Sequence, residues 1–173
     1  MNYKTHKIGG IGAGLLAFPV TTYLLGAEST TSILSLAGGL SVMSGILGSA
    51  LPDIDHKGSY IGKKLKPVSF VVSSTCGHRG VTHAPLITTI FLALSMFFLA
   101  TPNIYAYSIV LGFFAGIYSH IILDGFTKGG VPLLYPFNKK KYSLKLFVTG
   151  KKGEDRFRLI LAIAVFFIAA KLI

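Results

Sequence analysis

Long uncharged apolar runs, broken by short polar turns and two basic loops, set the pattern of this chain. Residues 8–26 carry no charge until the run ends and are long enough to cross a hydrocarbon core, which takes about 20 residues at helical rise. Residues 30–51 form a second run, rich in Gly38, Gly39, Gly45 and Gly48, small residues that let helices approach closely in lipid. Pro52 ends it, since an X-Pro bond biases the preceding residue away from helical geometry. Pro85 suits the first turn of a third helix, which runs to residue 100 before a tight polar turn at 101–103. Residues 104–123 predict a fourth span closing at Asp124 and Gly125. Residues 157–170 are shorter and predict either a fifth span, with Leu172 and Ile173 added, or an interfacial helix. The loop at 53–84 is turn-rich, punctuated by Gly58, Gly62, Pro67, Gly77 and Gly80. In the second loop, residues 142–149 alternate roughly, which predicts a short strand or a β-hairpin near 142–156 turning at 150–153. The expected fold is an all-α membrane protein of about five transmembrane helices, in a single domain over residues 1–173.

Composition agrees with a bilayer as solvent: 51% of the 173 residues are hydrophobic and 13% charged, against about 25% in soluble domains. The net charge of +11 would suggest nucleic acid in a soluble protein. Its distribution points elsewhere. Lys4, Lys7, the 53–84 loop and the 125–158 loop hold every Lys and Arg except Lys171, so the positive-inside rule puts the N-terminus and both loops in the cytoplasm. The lysines of 139–152 then meet anionic lipid headgroups rather than nucleic acid. Residues 8–26 read as a retained anchor rather than a signal peptide, because the small-x-small pattern is poor around residues 25–27. Cys76, the single cysteine, forms no internal disulfide and reads as a free thiol, with soft metal ligation as the lesser alternative.

The chemistry gathers at the ends of the apolar runs. His120 and Asp124 are four residues apart and share one helix face. On the five-span reading His6 precedes the first span, Asp53, Asp55 and His56 follow the second, His78 and His83 precede the third, and His120 and Asp124 close the fourth. Imidazole and carboxylate together suit a divalent metal, Zn²⁺ before Mn²⁺ or Fe²⁺, and two or three ions would account for more ligands than one zinc takes. Ionisable groups at the edge of a membrane span are costly and usually functional. Arg79, beside His78, is placed either to grip an anionic phosphate or to serve as a positive-inside anchor.

The motifs Leu-Pro-Asp-Ile-Asp-His (51–56), His-Arg-Gly-Val-Thr-His (78–83), Ser-His-Ile-Ile-Leu-Asp (119–124) and Gly-Val-Pro-Leu-Leu-Tyr-Pro-Phe (130–137) resemble the YdjM family of LexA-regulated inner-membrane metal-dependent hydrolases. More distantly, they are similar to the zinc-dependent phospholipase C and single-strand nuclease superfamily. The resemblance implies an inner-membrane protein with a helical core and a two- or three-zinc phosphoesterase centre. It assigns His6, Asp53, His83, His120 and Asp124 as metal ligands, His78 as a further ligand, and Asp55 as ligand or general base. Two departures stand out: the terminal metal-binding residues of secreted phospholipases have no counterpart, and the spacings differ. The sequence therefore predicts a multi-pass hydrolase of a phospholipid or lipid-like phosphorylated substrate, with Asp55 orienting or taking a water proton and Arg79 holding a non-bridging oxygen. The alternatives are a metal-ion transporter or sensor, which needs ligands at the bilayer midplane, and a scaffold pinned by metal without catalysis.

Overall fold

The computed structural model describes residues 1–26, 31–99 and 102–172. The turn expected at 101–103 and the connection after residue 26 thus lie partly outside the described residues. Helix α1 (Tyr3–Leu25) starts at Asn2, whose side chain accepts from the Lys4 N–H, and stops at Gly26, whose φ of 55° is left-handed. Helix α2 (Thr31–Ala50) leads into a 3₁₀ turn, Leu51–Asp55, with Pro52 in its first turn. Helix α6 (Ile104–Gly125) packs against both α1 and α2, and these three form the centre of the molecule.

Their contact is made backbone to backbone. A Cβ on Gly14 would stand 2.6 Å from the Ser41 carbonyl oxygen, and one on Gly45 would stand 2.5 Å from that of Gly10; one on Gly116 would strike the Gly45 carbonyl. Ser41 Oγ donates to Gly14 O at 2.8 Å across the same seam. Small-residue spacing is how helices associate where lipid removes the hydrophobic drive between them. The large apolar side chains point outward instead: Leu47 is 64% exposed, Phe97 79% and Phe166 68%. In water such a surface would be an aggregation hazard; in a bilayer it is the solvated face.

Among the described residues, three helical segments, Tyr3–Leu25, Thr31–Asp55 and Ile104–Gly125, are long and apolar enough to cross a membrane. The expected count of about five is not reached on that measure. Helix α5 (Pro85–Phe98) has 14 residues, about 21 Å at helical rise, short of a core about 30 Å thick. Helix α7 (Lys152–Leu172) is 21 residues long but spends its first turns on Lys152, Glu154, Asp155, Arg156 and Arg158. It lies lengthwise beside α1, where a Cβ on Gly12 would stand 2.8 Å from Val165.

Two further expectations are corrected. The 53–84 loop is largely helical, through α3 (Tyr60–Lys64) and α4 (Lys66–Cys76), because Ser59 caps α3 and Pro67 sits in the first turn of α4. No hairpin forms near 142–156: residues 142 and 147 make isolated bridges to Val131 and Thr127, and α7 already starts at Lys152. The alternating segment pairs backward onto the α6 exit, with Leu144 N–H donating to Gly125 O and Leu146 N–H to Phe126 O, both at 2.9 Å. Its backbone donors are thus spent before any partner strand beyond Gly150 is reached.

Candidate metal centre

Four chain segments converge where α1 begins and α2 and α6 end. His6 stands in the second turn of α1, Asp53 and Asp55 in the 3₁₀ turn after α2, His83 in a 3₁₀ turn (Val81–His83) before α5, and His120 and Asp124 in the last turns of α6. His6, His83, His120, Asp55 and Asp124 are each no more than 1% exposed. Among the described residues, two groups have ligand atoms close enough to share an ion: His6 with Asp53 and His120, and His83 with His120 and Asp124. His120 belongs to both.

Hydrogen bonds decide where the ring protons lie. The Ser49 carbonyl is an acceptor only, so His120 Nδ1, 2.7 Å away, carries the proton and Nε2 keeps its lone pair. His83 Nδ1 faces two acceptors, Thr82 Oγ1 at 3.0 Å, whose own hydrogen goes to Asp55, and Asp55 Oδ2 at 3.1 Å, so it carries the proton and leaves its Nε2 bare as well. These two Nε2 atoms face each other at 3.2 Å. Opposed lone pairs repel unless a cation lies between or beside them, and Asp124 Oδ2 is 3.7 Å from one and 3.9 Å from the other. His6 stacks on His120 with ring centroids 3.6 Å apart, and neither of its ring nitrogens makes a hydrogen bond, although Nε2 is 3.3 Å from Asp124 Oδ1. A buried imidazole left without a partner is costly, and ligation would satisfy it. Asp53 Oδ1 closes the set, 3.9 Å from His120 Nε2.

Asp53 and Asp55 diverge because residues two apart in a tight turn point different ways. Asp53 faces the buried cluster. Asp55 takes four donors instead: His78 Nδ1 at 2.9 Å, His83 Nδ1, the Arg79 N–H at 2.9 Å and the Thr82 hydroxyl at 2.5 Å. Expected as a ligand or base, Asp55 is placed behind two histidines, in the outer position that fixes the tautomer and aim of ligating imidazoles. His78, expected as a further ligand, is 46% exposed and lies outside both groups. Arg79, expected to grip phosphate, has Nη2 2.6 Å from Asp124 Oδ2 and Nη1 2.9 Å from Gly130 O, while its buried Nε has no partner. Its φ of 59° is left-handed, a conformation costing about 1–2 kcal/mol that its N–H bond to Asp55 helps hold. The amino group of Met1 also lies against Asp124. Cys76, at the end of α4, is in neither ligand group.

Sequence reasoning missed three supports. The Ser49 carbonyl is backbone and leaves no sequence signal. Thr82, inside the His-Arg-Gly-Val-Thr-His motif, was legible as a hydroxyl between two site residues. Glu154 is 1% exposed and accepts from Asn2 N–H at 2.7 Å, Thr5 Oγ1 at 2.9 Å and Gly150 N–H at 2.6 Å, pinning α7 to the turn that bears His6. As an acidic residue in a lysine-rich stretch it reads simply as solvated.

A helical membrane-embedded chain whose span ends bury a cluster of histidines and aspartates that could bind a metal ion is the class these features define. The chain belongs to the YdjM inner membrane protein family, whose model matches residues 1–173. It is 36% identical over 162 residues to YvsG of Bacillus subtilis (strain 168), covering 94% of this chain and 88% of that protein. It is 38% identical over 119 residues to inner membrane protein YdjM of Escherichia coli (strain K12), covering 67% of this chain and 59% of that one, with the same figures for the protein of that name in Shigella flexneri. No solved structure matches.

Proposed function

We propose that this protein is a membrane-bound, metal-dependent phosphoesterase acting on a phospholipid or another lipid-like phosphorylated substrate at the cytoplasmic face. The observation that carries the reading is the pair of unprotonated Nε2 atoms of His83 and His120 facing each other beside Asp124, a donor set that suits Zn²⁺ ahead of Mn²⁺ or Fe²⁺. An ion held by His6, Asp53, His83, His120 and Asp124 would supply Lewis-acid stabilisation of a phosphoryl group and lower the pKa of water. The chain contributes the rest. Asp55 orients His83, and Arg79, paired with Asp124, sets a positive charge in the cavity wall that favours a phosphate group. A polar cavity of about 330 Å³, lined by Asp53, His56, Tyr60, His78, Arg79 and Thr149 among others, leads from the surface to these groups. Lys4 and Lys57, next in the chain to residues that line the cavity, favour anionic lipid, and the gathering of Lys and Arg in the N-terminus and the two basic loops supports a cytoplasmic orientation.

The cluster sits at helix ends rather than midway along them, which favours hydrolysis over ion passage. Metal analysis of the purified protein should find a bound divalent ion, and Asp124→Ala should lose both the ion and hydrolysis across a panel of phosphomonoesters and phosphodiesters. An ion without turnover of any member would reduce the protein to a metal-binding one.

A further inference from the structure

Outside the buried cluster, two stretches that belong to the basic loops carry an exposed apolar surface. The first is α4. Its 11 residues reach about 16 Å at helical rise, too short to cross a core about 30 Å thick. For a helix in water it is inside out. Its one fully buried side chain is Ser69, packed on α3 where a Cβ at Gly62 would stand 2.9 Å from the Ser69 hydroxyl oxygen, while Val68, Phe70 and Val71 face outward. Phe70 is 60% exposed. Tyr3 stacks on Tyr60 with ring centroids 4.0 Å apart, which fixes α3, and α4 with it, to the start of α1.

The second stretch follows α6. Phe147 turns inward against Phe157, with ring centroids 5.0 Å apart, so its neighbours Leu146 and Val148 turn outward, as alternation in an extended chain requires. Leu134 and Leu144 are exposed as well, and Phe137 is 88% exposed. Positive charge falls in the same places. Residues 57–76 hold four lysines and residues 128–152 seven, with no Asp or Glu in either stretch. Lys57 Nζ stands 4.3 Å from the centroid of the Phe70 ring, so ammonium and apolar groups share one surface. Tyr60 and Thr149 both line the polar cavity, so both stretches border its mouth.

We propose that α4 and the 133–148 segment lie in the headgroup layer of an anionic membrane surface, with Phe70, Val71, Phe137 and Leu146 set about 5–10 Å into its boundary with the acyl chains and the lysines on lipid phosphates. Large apolar side chains beside clustered lysines fit that layer, where hydrocarbon and negative charge are both within reach of one surface. Lysines alone would give a loose attraction weakened by salt; the apolar side chains fix a depth. A second copy of the chain does not fit, because two such faces would set lysine against lysine with no carboxylate between them. The cavity mouth then opens among the headgroups, and on the phosphoesterase reading a phosphorylated lipid reaches it without leaving the bilayer. The docking itself is independent of that reading.

The chain has no tryptophan, so a single introduced indole reports without background. Full-length Phe70→Trp and Phe137→Trp, reconstituted into phosphatidylcholine vesicles with and without phosphatidylglycerol, should show blue-shifted emission, quenched more by lipid brominated near the headgroup end of its acyl chains than by lipid brominated near the methyl end. Quenching should be stronger with phosphatidylglycerol, and adding Lys63→Glu and Lys64→Glu should reduce that difference at position 70. Leu47→Trp, on the exposed face of α2, should be quenched in both kinds of vesicle and certifies insertion. Emission at positions 70 and 137 that stays water-like, open to iodide and untouched by brominated lipid overturns the docking. Emission shielded from iodide yet not quenched by brominated lipid marks a protein partner and overturns it too. Equal quenching in the two kinds of vesicle overturns the choice of an anionic surface. No hydrolysis enters the readout, so quenching in an inactive protein upholds the docking and discards the phosphoesterase reading, while hydrolysis without quenching does the reverse.

Discussion

At the scale of single residues, the protons on three imidazoles are set by their neighbours: Ser49 O fixes His120, and Asp55 fixes His78 and His83. Asp55→Asn keeps the size of the side chain but replaces one acceptor oxygen by an NH₂ donor, so one of the two histidines must turn over its tautomer. Metal affinity should fall by about 10–100-fold, measured by competition with a chromogenic chelator. If affinity is unchanged while hydrolysis falls, Asp55 works on water instead, as the sequence suggested. The chemistry of the cluster was legible because His120 and Asp124 obey helical spacing and the other histidines border apolar runs. The division of labour between Asp53 and Asp55 was not, since a tight turn sends side chains two residues apart in directions no periodicity encodes.

Among elements, the tie between α1 and α7 runs through one carboxylate. Burial pushes the Glu154 carboxyl upward, but donors from Gly150, Asn2 and Thr5 more than offset this and hold it below its ordinary value of 4.5. A group whose folded value is depressed stabilises above its unfolded value and loses that contribution as pH falls through the folded one. The melting temperature in detergent should therefore drop below about pH 4.5, and Glu154→Gln should be less stable at neutral pH and flatter in acid. A profile identical to wild type would show that α7 is held by its apolar face alone. Helices α1, α2 and α6 were readable from run length and small residues, and α5 from Pro85. The start of α7 was misread because Lys151 and Lys152 look like loop, although Glu154 and Asp155 in a first turn favour a helix N-terminus.

For the whole molecule, membrane class was legible from hydropathy and the gathering of the site at one end of the helices from the histidines and aspartates bordering the apolar runs, while the number of crossings was not, because length and apolarity diverge in α5 and α7. The missing hairpin was a matter of long-range pairing: its alternation was real, yet its partners lie at the α6 exit rather than across the next turn. The lengthwise pairing of α1 and α7 carries one more consequence. Glu154 meets Asn2 and Thr5 at one end and Val165 meets Gly12 farther along, so the two rods point the same way. In intact cells of a Cys76→Ser background, single cysteines at Lys4 and Lys171 should therefore react with a membrane-impermeant maleimide in opposite fashion, one shielded and one tagged.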